Sequence, residues 1–157
     1  MSYTSIITVA EAKNYLRIDE DLTVDDVFIE AIIDSSLSYL ERKINHILFA
    51  RSKSYIFDEC GQKRVYDYPI NSVTSPTSLN SELKATYTLY ERTNTEDTTL
   101  VLNVGYSSVS DVPNVFKTYA LYLIDYYYYG KEGAEKESDV IPRWLENTVN
   151  QYKRFIF

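Results

Sequence analysis

Residues 7–19 read Ile7-Thr-Val-Ala-Glu-Ala-Lys-Asn-Tyr-Leu-Arg-Ile-Asp19. Thr8-Val-Ala-Glu11 has the form of a capping box. A Thr side chain accepts from the backbone three residues on, and a Glu there reaches back. Val9, Ala12, Tyr15 and Leu16 then recur at helical spacing, which predicts a short helix ending near Arg17. The acidic loop Asp19-Glu-Asp21 follows. Thr23-Val-Asp-Asp26 is a second cap, with acids in the first turn where the helix dipole favours them. From there a long helix is expected to run to about Leu48. Val24, Val27, Phe28, Ala31, Ile32, Leu37, Tyr39, Leu40, Ile44, Ile47 and Leu48 supply its apolar face. At 1.5 Å per residue it would be roughly 37 Å long.

The period changes after Ala50. Arg51 to Phe57 alternates as a strand does. Gly61 marks a turn, and Lys63 to Tyr68 is expected to return as the partner strand. Pro69 and Pro76 punctuate a strand-and-loop stretch. Thr86 to Glu91 and Thr98 to Val104 are β-branched and alternating, and read as a projecting hairpin with a polar tip at Arg92 to Asp97. Helical spacing returns with Asp111 or Val112 as cap and Pro113 in the first turn. Val115, Phe116, Tyr119, Ala120, Leu123 and Tyr127 form the stripe of this helix, and Gly130 ends it. Lys131 to Asp139 reads as charged and flexible. Pro142 opens a last helix, with Trp144 or Leu145, Val149 and Tyr152 inward.

The expected fold is therefore α+β, mainly α. It is a helical bundle on the long helix at about 24–48 plus C-terminal helices, with a β-hairpin region inserted at about 51–104. A single domain over 1–157 is expected, β-rich at about 51–110. The 157 residues are 45% hydrophobic, enough for a core without disulfides or metal.

Net charge is −7. Residues 1–50 carry nine acids and four bases, so the acidity sits on the first third. Such a chain does not coat nucleic-acid phosphates, which need a basic surface. One cysteine, Cys60, excludes an internal disulfide, and one histidine, His46, leaves too few ligands for the usual zinc sets. The N-terminus lacks the basic start and apolar run of a signal peptide, and the apolar stretch Tyr119 to Ile124 is far short of a membrane span. A soluble protein of a reducing compartment is expected. Sixteen Tyr against six Phe and one Trp suit contact surfaces as well as cores.

No catalytic, cofactor or metal set stands out. His46 reads as a surface or C-cap residue, and Cys60 sits in a turn without a base near it in sequence. Asp25, Asp26 and Glu30 are better explained as a solvated first helical turn than as an ion site. Tyr126 to Tyr129 cannot all face one way on a helix, which favours packing or protein contact over base stacking.

The two ends taken together, T-x-x-E-A-K-x-x-L-R-I-D with its long helix, and Val112-Pro113 with its aromatic helix, Ile141-Pro142 and Tyr152-Lys-Arg154, resemble one family. It is the head–tail connector (adaptor) family of tailed bacteriophages, also described as phage DNA-packaging or head-completion proteins. The resemblance covers roughly residues 5–50 and 110–155. It implies a structural virion protein of the neck, made in the host cytoplasm and not an enzyme. Members form a ring, typically twelvefold, beneath the portal. The ring extends the DNA channel used in packaging and ejection, and carries stopper and tail proteins. DNA would pass without specific binding, and no membrane is involved.

On this reading Tyr152, Lys153, Arg154, Phe155, Ile156 and Phe157 would dock on the portal. The tip Arg92, Thr93, Asn94, Thr95, Glu96 and Asp97 would touch another neck component or the channel. Asp19, Glu20, Asp21, Asp25, Asp26 and Glu30 would line the lumen or an acidic surface. The long helix and the Tyr-rich helix 113–129 would supply much of the contact between copies. The rival readings are a neck stopper or tail completion protein, a class that tends to be β-rich, and a small metal-dependent nuclease.

Overall fold

The computed structural model describes residues 3–84, 86–130 and 141–153. They group into two compact units. One holds the described residues up to Ile44 and from Val109 to Lys153; the other runs from Asn45 to Ser108.

The first unit is helical. A 3-10 turn, Tyr3–Ser5, precedes α1 (Val9–Leu16). The capping box forms as its residues dictate. Thr8 Oγ1 accepts from the Glu11 N–H at 3.1 Å, and Glu11 Oε2 accepts from the Thr8 N–H at 2.8 Å. Arg17 ends α1 in the left-handed conformation, φ 61°. Helix α2 (Asp26–Ile44) buries Ile29, Ile32, Ile33, Leu37, Leu40 and Ile44 at spacings of three and four. It stops where Asn45 turns left-handed, φ 56°. A second 3-10 turn, Val109–Asp111, leads to α3 (Asn114–Tyr129) and α4 (Arg143–Tyr152). Phe116, Tyr119, Ala120, Leu123 and Ile124 of α3 and Leu145 and Val149 of α4 complete this core.

Two cations pin α2. The Lys13 side chain, only 4% exposed, ion-pairs with Asp26 at the start of α2, and its Nζ donates to the Glu20 carbonyl at 3.1 Å. Near the other end, Lys43 Nζ lies 2.7 Å from Glu146 Oε1 of α4 and 5.2 Å from the centre of the Tyr119 ring. The Tyr119 hydroxyl donates to Glu146 Oε2 at 3.0 Å.

The second unit is all strand and turn. It comprises β1 (Arg51–Ile56), β2 (Gln62–Val65), β3 (Ile70–Ser75), β4 (Leu79–Leu83), β5 (Thr88–Arg92) and β6 (Thr99–Val104). They form two antiparallel sheets, ordered β1-β6-β3 and β2-β5-β4. Ile47, Phe57, Val65, Tyr90, Leu100, Leu102 and Val104 are buried together, with Tyr55, Ile70 and Leu79 packed against them.

Several expectations are overturned. The fold is not a helical bundle on one long helix: among the described residues four helices stand with six strands, and the strands have a core of their own. The long helix spans 26–44 rather than 24–48, because Asn45 breaks it. Ile47 belongs to the strand core, and Val24, Val27 and Phe28 are exposed. Thr86 to Glu91 and Thr98 to Val104 are not a hairpin. β5 pairs with β2 and β4, whereas β6 pairs with β1 and β3. The return strand at Lys63 likewise pairs with β5, not with β1. Asp111 lies in a 3-10 turn, and Pro113 precedes α3 without a side-chain cap. In α4 it is Leu145 that turns inward, while Trp144 is 60% exposed. Gly130 ends α3 as expected, in the left-handed conformation. Lys131 to Asp139 lie outside the described residues.

Gly105, φ 107°, follows β6, and a Cβ there would sit 2.2 Å from the Phe49 carbonyl oxygen. Gly105→Ala should therefore destabilise the protein by roughly 3 kcal/mol, combining left-handed strain with backbone overlap. Gly130 also has positive φ but open space around it. Gly130→Ala should cost only about 1 kcal/mol. Urea unfolding of the two variants checks the ranking.

Burial alone would raise the Glu146 carboxyl. The Lys43 and Tyr119 hydrogen bonds outweigh it and hold the group below its ordinary value. A carboxyl depressed by folding contributes stability that is present above its unfolded pKa, about 4.3, and is lost as pH falls through the folded value. Glu146→Gln should thus destabilise at neutral pH by about 1 kcal/mol, since the pair is partly screened by solvent. The gap to the parent protein should close as pH drops below about 4. Thermal melts at pH 7 and pH 3 measure it.

Candidate interaction surfaces

The six carboxylates singled out from the sequence cluster around the α1–α2 connection. Asp19, Glu20, Asp21, Asp25 and Glu30 are exposed. Asp26 is not a bare surface acid, because it neutralises Lys13. Asp25 accepts from the Tyr128 hydroxyl at 2.7 Å, and that hydrogen bond, with burial second, raises the phenol above its ordinary value. The Phe28 and Tyr128 rings lie 6.1 Å apart. The Tyr129 hydroxyl donates to the Leu16 carbonyl at 2.7 Å. The tyrosine run therefore serves packing, since two of its hydroxyls fasten the end of α3 to α1 and to the α2 start. Tyr127 and Tyr129 also keep exposed ring area.

Sequence reasoning missed what surrounds these acids. Val24 is 90% exposed, Val27 80%, Leu22 57% and Phe28 52%. For Val24, Val27 and Phe28 helical periodicity was the only signal, and it reads the same whether a face meets the core or a partner.

Arg92 to Asp97 links β5 to β6 and so connects the two sheets. It is held at its base. The Arg92 N–H donates to the Gly61 carbonyl at 2.9 Å, and its guanidinium donates to the Asp97 carbonyl at 3.0 Å. Thr93 Oγ1 donates to the Ser78 carbonyl at 2.9 Å, and the Glu96 N–H donates to Asn94 Oδ1 at 3.1 Å. Thr93, Asn94, Thr95 and Glu96 remain exposed on this braced turn.

Of the residues read as portal-docking, Tyr152 packs edge-on against Phe116 with ring centres 5.0 Å apart, and Lys153 caps α4. Arg154, Phe155, Ile156 and Phe157 lie outside the described residues.

His46 is not on the surface. It is 4% exposed, with its ring 4.9 Å from that of Tyr68 and its Nδ1 3.1 Å from the Tyr106 hydroxyl. Those aromatic walls make it a packing element of the β unit. Cys60 is exposed in the turn before β2. Lys53 and the Tyr55 hydroxyl share the Asp67 carboxylate, and burial, followed by that bond, raises the Tyr55 phenol. Among the described residues no group of three or more His, Cys, Asp or Glu could hold a metal ion, and no helix is long and apolar enough to cross a membrane. The polar clusters found here brace elements against one another.

No protein-family model and no curated protein matches the chain. Solved structures do. A chain in the neck of an empty gene transfer agent particle, computed with C6 symmetry, aligns at TM-score 0.74 and 13% identity over 99% of this chain and 92% of its own length. A chain in the virion of a native gene transfer agent particle aligns at 0.74 and 12% identity, over 100% and 94%. A chain in a native particle's neck, computed with C12 symmetry, aligns at 0.70 and 13%, over 99% and 92%. Helices and sheets alike thus share the fold of proteins in the necks of phage-like particles.

Proposed function

We propose that this chain is a structural head-to-tail connector (adaptor) in the neck of a tailed, phage-like particle. The single observation that carries the reading is the near end-to-end match to neck chains, covering 99% of this chain and 92% of theirs. A fold alone does not dictate a function. Here the fold agrees with the connector resemblance at the two sequence ends, which rests on different residues from those that build the sheets.

On this reading the copies assemble as a ring beneath the portal, and the sixfold and twelvefold symmetry used for two of the neighbours supports a ring of twelve. The helical and strand units act as one connector domain. The ring extends the DNA channel and gives stopper and tail proteins a platform. DNA passes without specific binding, since a net charge of −7 repels phosphate. The braced turn at 92–97 contacts a neighbouring neck component, and the segment from Tyr152 to Phe157 meets the portal.

Deleting the gene tests the role. Particles lacking the protein should package DNA into heads that carry no tails, seen by electron microscopy, and the purified protein added to such heads should restore tail joining. Normal tailed particles without the protein would overturn the proposal.

A further inference from the structure

The helical unit carries two unlike exposed surfaces, one near each end of α2. Val27 and Phe28 stand in the first turn of α2, and Val24 lies in the turn just before it. They are 90%, 80% and 52% exposed, while Ile29, Ile32 and Ile33 fill the core on the other side. Asp21, Asp25 and Glu30 stand exposed around this apolar patch.

The second surface is the first turn of α4. Arg143 is exposed and Trp144 is 60% exposed, although the next residue, Leu145, is fully buried. Trp and Arg are enriched among the residues that anchor interfaces. The place of this turn is fixed by Glu146, which binds Lys43 near the C-terminal end of α2. About 24 Å of helix separates Lys43 from Val27 at 1.5 Å per residue. The two surfaces therefore cannot meet within one copy.

They are complementary in chemistry: apolar and acidic at one end, aromatic and basic at the other. Resting on the ring reading above, we propose that Arg143 and Trp144 of one copy dock on the Val24–Val27–Phe28 patch of the next. The indole covers the two valines and the phenyl ring, and the guanidinium faces Asp25 and Glu30. Glu146 is committed to Lys43 and Tyr119 within its own copy. Asp25 gives one lone pair to Tyr128 and keeps others for a cation. Because the contact joins different surfaces, it is heterologous, the class of contact from which rings are built.

Cross-linking in assembled particles tests this. A chain carrying Cys60→Ser, Val27→Cys and Asn147→Cys removes the exposed native thiol and places one thiol beside each surface. Mild oxidation of particles built from it should give a ladder of covalent multimers, whereas the Val27→Cys chain without Asn147→Cys should stay monomeric. Trp144→Ala should keep the melting temperature and enter necks roughly tenfold less well or worse. If the double-cysteine chain is seated in necks and gives no ladder, the contact is wrong and the connector role stands. Covalent dimers from Val27→Cys alone would show a twofold contact and also overturn it. If even the Cys60→Ser chain is absent from necks, the connector role falls and this contact with it.

Discussion

A lysine ammonium buried on an eight-residue helix must be neutralised where it lies. Stripping the charge of water costs several kcal/mol, which only close partners recover. Lys13 finds them in the Asp26 carboxylate and the Glu20 carbonyl. Much of the helical unit follows from this. The chain must leave α1 sharply, which it does through Arg17 in the left-handed region. It must fold back so that the Glu20 carbonyl points inward and Asp26 opens α2. Once Asp26 is placed, Asp25 and Phe28 come beside Tyr128, and the end of α3 is fastened too. The second clamp repeats the logic with the charges exchanged, a lysine of α2 meeting a glutamate of α4. Both suit the helix dipole, with an acid in the first turn of α2 and a base in its last.

The strand unit answers a different constraint. Its core draws on both sheets, from Val65 and Tyr90 in one and Leu100, Leu102 and Val104 in the other. A hairpin of β5 and β6 would be the cheapest pairing in loop entropy, because only six residues separate them. The chain instead sends them into different sheets. The short link is held by Arg92, whose backbone bonds Gly61 and whose guanidinium bonds the carbonyl of Asp97. The lost local pairing is offset by burying apolar residues of both strands in a shared interior.

What the sequence made legible was whatever local chemistry decides. The capping box at Thr8 and Glu11, the stop at Arg17, the left-handed Gly130 and the alternation of β1 each depend on a few consecutive residues. What it hid was partner choice. Nothing between Arg51 and Val104 says that β1 pairs with β6 rather than β2, since strand pairing is settled by distant residues sharing a core. His46 was misplaced for the same reason: its burial comes from Tyr68 and Tyr106, far along the chain. Five of the six acids are exposed and one is half-buried. Asp26 differs in role from Glu30, and only the buried position of Lys13 reveals it.

The apolar start of α2 shows the deeper limit of periodicity. Val24, Val27 and Phe28 fit the helical repeat as well as Ile29 and Ile33 do, but the repeat marks a face without saying what covers it. In a single chain such residues are a liability, since bare valines favour sticking to any other apolar surface. Two features moderate it. Flanking carboxylates keep like charges around each patch, and a net charge of −7 holds free copies apart. Both oppose self-association least where a partner brings a cation. A surface that is apolar at its centre and acidic at its rim therefore discriminates by charge. It disfavours a second copy of itself and favours an aromatic, basic counterpart.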